Sequence, residues 1–287
     1  MHRTIVSLFM VLLVASILFL QACSNGTTPA GKAPEVTQAA QATPVSTSEP
    51  SPAPSKSPKQ DTETLQNNTG KTLIKSVTEE KGGNHMSFAI VSKQGTVIVA
   101  DPHEMPVTKG VLHADIITSS FINHSHQDPV FVKYNPEAKV SEMKAERFTV
   151  KDVKVIGVAA SQSTAPIQPA APTNVIYVYE VDDLRIAYIG GLGQDELTKE
   201  QLDQLGKIDI LLTYFNDAPT WNIKKATSIR AVQQIKPRIV LPTEFKPEIV
   251  DEMLTALQIE DRSETDKLVI AKSDVESIQK TKYVFIK

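Results

Sequence analysis

From residue 71 onwards the hydrophobic positions form short runs separated by turn residues. "SFAIVSKQGTVIVADP" places two apolar runs around Lys-Gln-Gly, a pattern typical of a β-hairpin. "NVIYVYEVDDLRIAYIGG" predicts a second hairpin that turns at Asp182–Asp183. "HADIITSSFIN" and "FTVKDVKVIGVAAS" add further strands. The pattern therefore predicts that the first half of this region consists mainly of β-strands.

Towards the C-terminus, helical periodicity alternates with apolar runs. Gly206 ends a short helix in "TKEQLDQLG", and we expect Asp195 to cap this helix, with its start at Glu196. Pro237 ends a longer amphipathic helix, and Pro247 lies in the first turn of "PEIVDEMLTALQI". The remaining runs predict strands: "KIDILLTYF", "RIVLP", "KLVIA" and "KYVFI". This alternation indicates a layered α/β (α+β) sandwich over residues 71–287.

The N-terminal residues have the features of a targeting segment. "MHR" is followed by an uncharged apolar run that ends in "LQAC", which resembles the lipobox of bacterial lipoproteins. We therefore predict a signal peptide over residues 1–22 and lipidation of Cys23, which would anchor the chain in the cell envelope outside the cytoplasm. An ordinary cleaved signal and an uncleaved anchor helix are the alternatives. Neither the membrane leaflet nor the oligomeric state follows from the sequence.

Residues 23–70 are rich in Pro, Ser and Thr and hold seven of the eighteen prolines. Because such a segment buries little apolar surface, it predicts a disordered tether. The net charge of −3 and the pI of about 6.1 exclude a general attraction to nucleic acid. The single cysteine excludes an internal disulfide and a cysteine-based zinc site.

"FINHSHQDPV" brings together His124, His126 and Asp128, three residues able to ligate a metal. Together with "ADP" at the end of the first hairpin, "AYIGG" and "RIVLPTEF", this order resembles the metallo-β-lactamase fold, in its lactonase-like and hypothetical-hydrolase branch. The resemblance implies a four-layer αββα sandwich with a metal site, usually zinc, supplied by the histidine loop.

The resemblance also implies that several metal ligands are missing. Pro129 stands at the fourth loop position, and Ser161 to Ser163 stand where the next histidine belongs. Gly191 replaces the bridging aspartate, and Glu244 replaces the last histidine. The chain is therefore expected to hold at most one zinc ion, weakly or not at all, through His124, His126 and Asp128 or a recruited side chain.

Three further residues have two interpretations each. Glu244 is a ligand or general base, or alternatively a solvent-exposed glutamate. His103 is a third imidazole or a surface residue. The resemblance implies that His85 lies near the site without being a conventional ligand, and the alternative, which we favour, is a hydrogen-bonded turn residue.

Two functions follow from this incomplete site. The first is a hydrolase of esters, lactones or phosphoesters, with Asp128 and Glu244 as catalytic groups. The second is a catalytically inactive domain that binds a small molecule or an envelope partner in the old cleft. A purely structural envelope component ranks third.

Overall fold

The structure is a computed structural model that describes residues 62–63, 65–78, 85–106, 110–122 and 126–287 of the 287-residue chain. The strands, labelled in chain order, are β1 (Thr62–Glu63), β2 (Thr72–Ser76), β3 (Phe88–Val91), β4 (Val97–Ala100), β5 (Val111–Leu112), β6 (Ile116–Ser119), β7 (Lys139–Glu142), β8 (Arg147–Val150), β9 (Val153–Ala160), β10 (Asn174–Val181), β11 (Leu184–Tyr188), β12 (Ile210–Phe215), β13 (Ile239–Phe245), β14 (Arg262–Thr265), β15 (Leu268–Ile270) and β16 (Lys282–Ile286). The helices are α1 (Pro129–Tyr134), α2 (Lys199–Leu205), α3 (Lys225–Ile235), α4 (Pro247–Ala256) and α5 (Lys272–Ser277), with a 3-10 turn at Pro219–Trp221. No helix in these described ranges is long and apolar enough to cross a membrane.

Two large sheets form the centre of the fold. The first has six strands in the order β15-β2-β3-β4-β6-β7, and the second has eight in the order β14-β16-β13-β12-β11-β10-β9-β8. The predicted first hairpin is β3–β4, turning through Gly95 at φ 86°. The second is β10–β11, where Asp182 and Asp183 have φ 50° and 68°, the left-handed backbone that a two-residue hairpin turn requires. Both predicted hairpins are confirmed.

Alternating side chains on β10 connect the layers. Tyr177 and Tyr179 face the cluster of buried residues between the two sheets. Ile176 and Val178 lie on the opposite face, in a second cluster that includes residues of α2, α3 and α4. On the outer face of the six-stranded sheet, a third cluster includes Phe131 of α1. The layers are thus helix, sheet, sheet and helix, which confirms the predicted αββα sandwich.

The helix ends show why these segments are helical. Thr198 caps α2: its hydroxyl accepts from the Gln201 N–H, and the Gln201 side chain accepts from the Thr198 N–H. The expectation that Asp195 caps a helix beginning at Glu196 was therefore wrong, because the Thr198 capping box sets the start later. Helix α4 begins at Pro247, as predicted.

Ordered structure begins earlier than the predicted boundary at residue 71. Strand β1 pairs in parallel with β5, and Leu65 packs against the third cluster. The Asn67 side chain donates hydrogen bonds to the carbonyl oxygens of Lys71, Val91 and Ser92 at 2.7–3.1 Å. The prediction of a disordered tether up to residue 70 was thus wrong for its last residues, because hydrogen bonds and a buried leucine hold them on the sheet.

Candidate metal centre

A cluster of buried polar residues lies where both sheets end. His85 immediately precedes the first hairpin, Asp101 directly follows β4, and His126 precedes α1. Glu244 lies in β13 of the other sheet. Three side chains each offer one possible ligand atom: His85, Asp101 and His126. These three atoms lie within 4.8 Å of one another.

Asp101 is the centre of one half of the cluster. Its side chain is fully buried, and its backbone has φ 46°, an uncommon conformation for a residue other than glycine. Its carboxylate accepts the Ser120 N–H at 2.6 Å and the Ser120 hydroxyl, and it lies 2.6 Å from Nδ1 of His126. Because an ionised carboxylate only accepts hydrogen bonds, Nδ1 of His126 donates, and Nε2 is left as the basic nitrogen.

Gly190 is required for the Ser120–Asp101 contact. Its φ is 58°, and a Cβ atom on it would lie 2.1 Å from the Ser120 hydroxyl oxygen. The neighbouring Gly191 has room for a side chain, since a Cβ there would find its nearest neighbour at 3.8 Å. Among its neighbours at that distance is Phe121, whose ring lies 5.7 Å from the ring of His126.

His85 and Glu244 form the other half. Nδ1 of His85 lies 3.4 Å from one oxygen of Glu244, and the other oxygen accepts from the Asn216 amide at 3.3 Å. Nε2 of His85 is buried and has no hydrogen-bond partner among the described residues. Burial, followed by the charge of His126, lowers the pKa of His85, although Glu244 and Asp101 oppose this. The imidazole is therefore stabilised in its neutral form, which is the form that binds metals.

The two halves are in direct contact. The ring centroids of His85 and His126 are 4.4 Å apart, and that of His103 lies 5.6 Å from His85. Both His103 and Glu244 are buried, with 9% and 7% exposure. The alternatives that placed them on the solvent-exposed surface were wrong, because the ends of both sheets cover them.

Tyr188, the last residue of β11, contributes an uncommitted hydroxyl. Tyr179 of the same sheet shares a hydrogen bond with Thr118 at 2.6 Å, and Tyr177 donates to the Ser141 carbonyl. The Tyr188 hydroxyl is equally buried and lies close to the Asp101 carboxylate, but it makes no hydrogen bond of normal geometry to the described residues. Burial, followed by the charges of Asp101 and Glu244, raises the pKa of Tyr188 well above its ordinary value. Tyr188 is thus a protonated donor beside two carboxylates.

Of the predicted ligands that the structure describes, Asp128 is not part of this cluster. His124 lies outside the described residues. Asp128 caps α1: one oxygen accepts from the N–H groups of Val130 and Phe131, and the other from the N–H of Met105 at 2.9 Å. Of the predicted set, the structure brings His126 and Glu244 together and adds His85 and Asp101. The roles of His124 and Asp128 as ligands stay predictions.

The donor set of the cluster fits a divalent cation of the zinc type. The cluster supplies two imidazoles, which are common zinc ligands, and a carboxylate that holds one of them in place. The partnerless Nε2 of His85 and the partnerless Tyr188 hydroxyl are polar atoms that a bound ion with its water would satisfy.

Comparison with known proteins supports this assignment of the fold. The family model of the β-lactamase superfamily domain matches residues 83–244, more than half of the chain. The chain therefore belongs to the β-lactamase superfamily. The match spans all four residues of the cluster: His85, Asp101, His126 and Glu244.

Solved structures show the same fold. A protein from Thermotoga maritima, proposed to be a zinc-dependent hydrolase of the metallo-β-lactamase superfamily, is 20% identical, with a TM-score of 0.53 over 75% of this chain and 98% of its own. A metallo-hydrolase from Ignicoccus hospitalis is 10% identical, with a TM-score of 0.49 over 75% of this chain and 95% of its own. The first likeness establishes the fold alone, and the second adds nothing to it. No curated protein matches the chain.

Proposed function

We propose that this protein is a metal-dependent hydrolase with an incomplete, single-metal site, attached to the cell envelope through Cys23. The observation that carries the proposal is the buried cluster of His85, Asp101 and His126 within a β-lactamase superfamily fold. Buried ionisable groups are costly unless they are paired or serve a function. Esters, lactones and phosphoesters are the proposed substrates, because all three react with an activated water.

The residues of the cluster have distinct roles in such a reaction. When bound, a divalent cation supplies Lewis acidity and acidifies a water molecule. Asp101 holds the His126 ring in one orientation and in the tautomer that leaves Nε2 basic. Tyr188 stays protonated at neutral pH, so that its hydroxyl can donate a hydrogen bond to an oxygen that becomes negative during the reaction. The burial of these side chains limits their contact with bulk water.

Three positions at which the family resemblance implies a metal ligand hold none, and they support an incomplete site. Pro129 is the first residue of α1. The Ser161 N–H donates to Gln194, and its hydroxyl shares a hydrogen bond with Thr173. Gly191 has no side chain to bridge two metals. These observations support one cation rather than two.

A catalytically inactive binding domain is the second candidate. The observation that favours it is Asp128, because both of its carboxylate oxygens accept hydrogen bonds from backbone N–H groups. An aspartate used in this way stabilises the loop without taking part in chemistry. In this case the protein would bind a small molecule or an envelope partner without hydrolysing it.

The experiment measures zinc and hydrolysis together in the chain without its first 22 residues. We expect up to one zinc per chain and turnover of at least one ester, lactone or phosphoester. His126→Ala should abolish both, whereas the matched control His113→Ala, a half-exposed histidine beside Asp115, should change neither. Gly191→Asp, for which the backbone has room, should raise zinc occupancy.

Zinc binding without turnover of any of these substrates would favour the inactive binding domain. Two tightly held zinc ions per chain would overturn the incomplete site.

A further inference from the structure

His85 does not belong to the histidine loop, yet it offers the only buried imidazole nitrogen in the described ranges that has no hydrogen-bond partner. This nitrogen, Nε2, lies in a ring with 3% exposure that contacts the ring of His126 at 4.4 Å. Leaving such an atom unpaired in a buried site costs free energy unless a ligand satisfies it. A cation bound to Nε2 would satisfy this atom.

Glu244 determines which nitrogen of His85 is available. The Asn216 amide oxygen accepts the Asp217 N–H at 2.7 Å, which turns the Asn216 amide nitrogen towards Glu244. Glu244 therefore accepts from Asn216 on one oxygen and faces Nδ1 of His85 with the other. A carboxylate that only accepts hydrogen bonds requires Nδ1 to carry the proton. Nε2 then has the free electron pair that a metal needs.

His126 has the same arrangement as His85. The carboxylate of Asp101 lies against Nδ1 of His126, as the carboxylate of Glu244 lies against Nδ1 of His85. Each imidazole has Nδ1 against a buried carboxylate, and each is left with Nε2 for a ligand. A carboxylate behind a histidine is the usual support of a metal-binding imidazole, because it fixes the ring and raises the basicity of the free nitrogen. Two such pairs in contact make a site for one cation.

We infer that His85 is a direct ligand of the cation, in place of the imidazole that is absent at Ser161, and that Glu244 is the residue that positions it. The inference rests on the proposed single-metal function and identifies how that metal is held. It also gives the replacement of a histidine by Glu244 a role: the residue supports a new ligand instead of being one itself.

The test titrates zinc into the metal-free protein, and cobalt into a parallel sample whose visible absorption reports the ligands. His85→Ala should lower zinc affinity by at least about 100-fold and change the cobalt spectrum. Glu244→Gln should lower affinity by about 10–100-fold and leave the cobalt spectrum unchanged, since the ligand set is intact. His85→Gln, which keeps a buried polar side chain, replaces His85→Ala if the alanine variant does not fold.

Two controls separate this inference from its alternatives. His113→Ala should bind zinc as the unmodified protein does. His103→Ala should do the same, because His103 is not part of the three-residue group. Unchanged affinity in His85→Ala, or a loss in His103→Ala instead, would overturn the inference.

The outcomes also separate the inference from the proposed function. Zinc binding that depends on His85 without any hydrolysis would support the ligand assignment and overturn the hydrolase. Zinc-dependent hydrolysis that survives His85→Ala would support the hydrolase and overturn the assignment of His85 as a ligand. A protein that binds no zinc or cobalt would overturn both.

Discussion

The imidazole rings of His85 and His126 lie 4.4 Å apart and at 72° to each other, although one precedes the first hairpin and the other follows β6. They meet because β4 pairs with β3 on one side and with β6 on the other, so that the segments beyond these strands converge. Each ring is held from behind by a carboxylate from a different element. The site is therefore a product of strand order.

Asp128 is predicted to matter for stability through its capping role. Asp128→Ala removes the acceptor for two N–H groups of α1 and for that of Met105, and should lower the free energy of unfolding by about 1–2 kcal/mol. Asp128→Asn should lose less, since asparagine also caps helices. Urea denaturation measures both. If Asp128→Asn keeps its stability but loses zinc affinity, Asp128 is also a ligand, as the sequence pattern predicts.

Gly190 and Gly191 form a matched pair of neighbours. Gly190→Ala should destabilise the protein by about 2 kcal/mol or more, because φ is 58° and the new Cβ would overlap the Ser120 hydroxyl. Gly191→Ala should change stability by no more than about 0.5 kcal/mol, since its Cβ has room. Thermal unfolding compares the two. If Gly190→Ala lowers stability no more than Gly191→Ala does, Ser120 can move away from Asp101 without a cost in stability.

Asn67 should anchor the start of the ordered domain. Asn67→Ala removes three hydrogen bonds to backbone carbonyl oxygens and should lower the free energy of unfolding by about 1–3 kcal/mol. Its exposed neighbour gives the control, and Asn68→Ala should have an effect within about 0.5 kcal/mol. Denaturant titration of both variants decides the matter. A chain that begins at Lys71 should show at least the loss of Asn67→Ala.

Because Asp115 is paired with Lys151, we expect the free energy of unfolding to depend on pH. Burial raises its pKa, but the Lys151 ammonium, the Val97 N–H and His113 outweigh burial and hold the pKa below the ordinary 3.8. A carboxyl whose folded pKa is depressed contributes stability above its unfolded pKa and loses it as pH falls through the folded value. Because Lys151 is more than half exposed, Lys151→Met should lower the free energy of unfolding by less than about 1 kcal/mol at neutral pH.

The pH comparison isolates this ion pair. The difference between Lys151→Met and the unmodified protein in urea unfolding should disappear at acidic pH, below the folded pKa of Asp115. Lys93→Met, at an exposed lysine, provides the control and should show no such trend. A difference that persists in acid would assign the effect to packing of the lysine side chain.

Cys23 lies outside the described residues, and its lipidation is a prediction from the sequence. Cys23→Ala should shift the protein from the membrane fraction to the soluble fraction or block removal of the first 22 residues. Fractionation and gel mobility measure this. Unchanged localisation and mobility would exclude the lipoprotein anchor and leave an uncleaved apolar segment as the alternative.

The sequence by itself determined the features that depend on near neighbours. The hairpin at Asp182–Asp183 and the start of α4 at Pro247 follow from turn and cap chemistry, which acts over a few residues. The six-residue α1 was missed, because Asp128 and Pro129 were interpreted as a ligand and a lost ligand rather than as the cap and first residue of a helix.

Only the tertiary structure decided the composition of the site. His126 was found from its loop motif and His85 was expected near the site, but neither the contact between their rings nor the contact of Asp101 with His126 has a local signal. The burial of Glu244 and its contact with His85 likewise depend on the packing of one sheet against the other. Local patterns record the preferences of a short segment, and a site built from four distant segments exists only once strand pairing and sheet packing have brought them together.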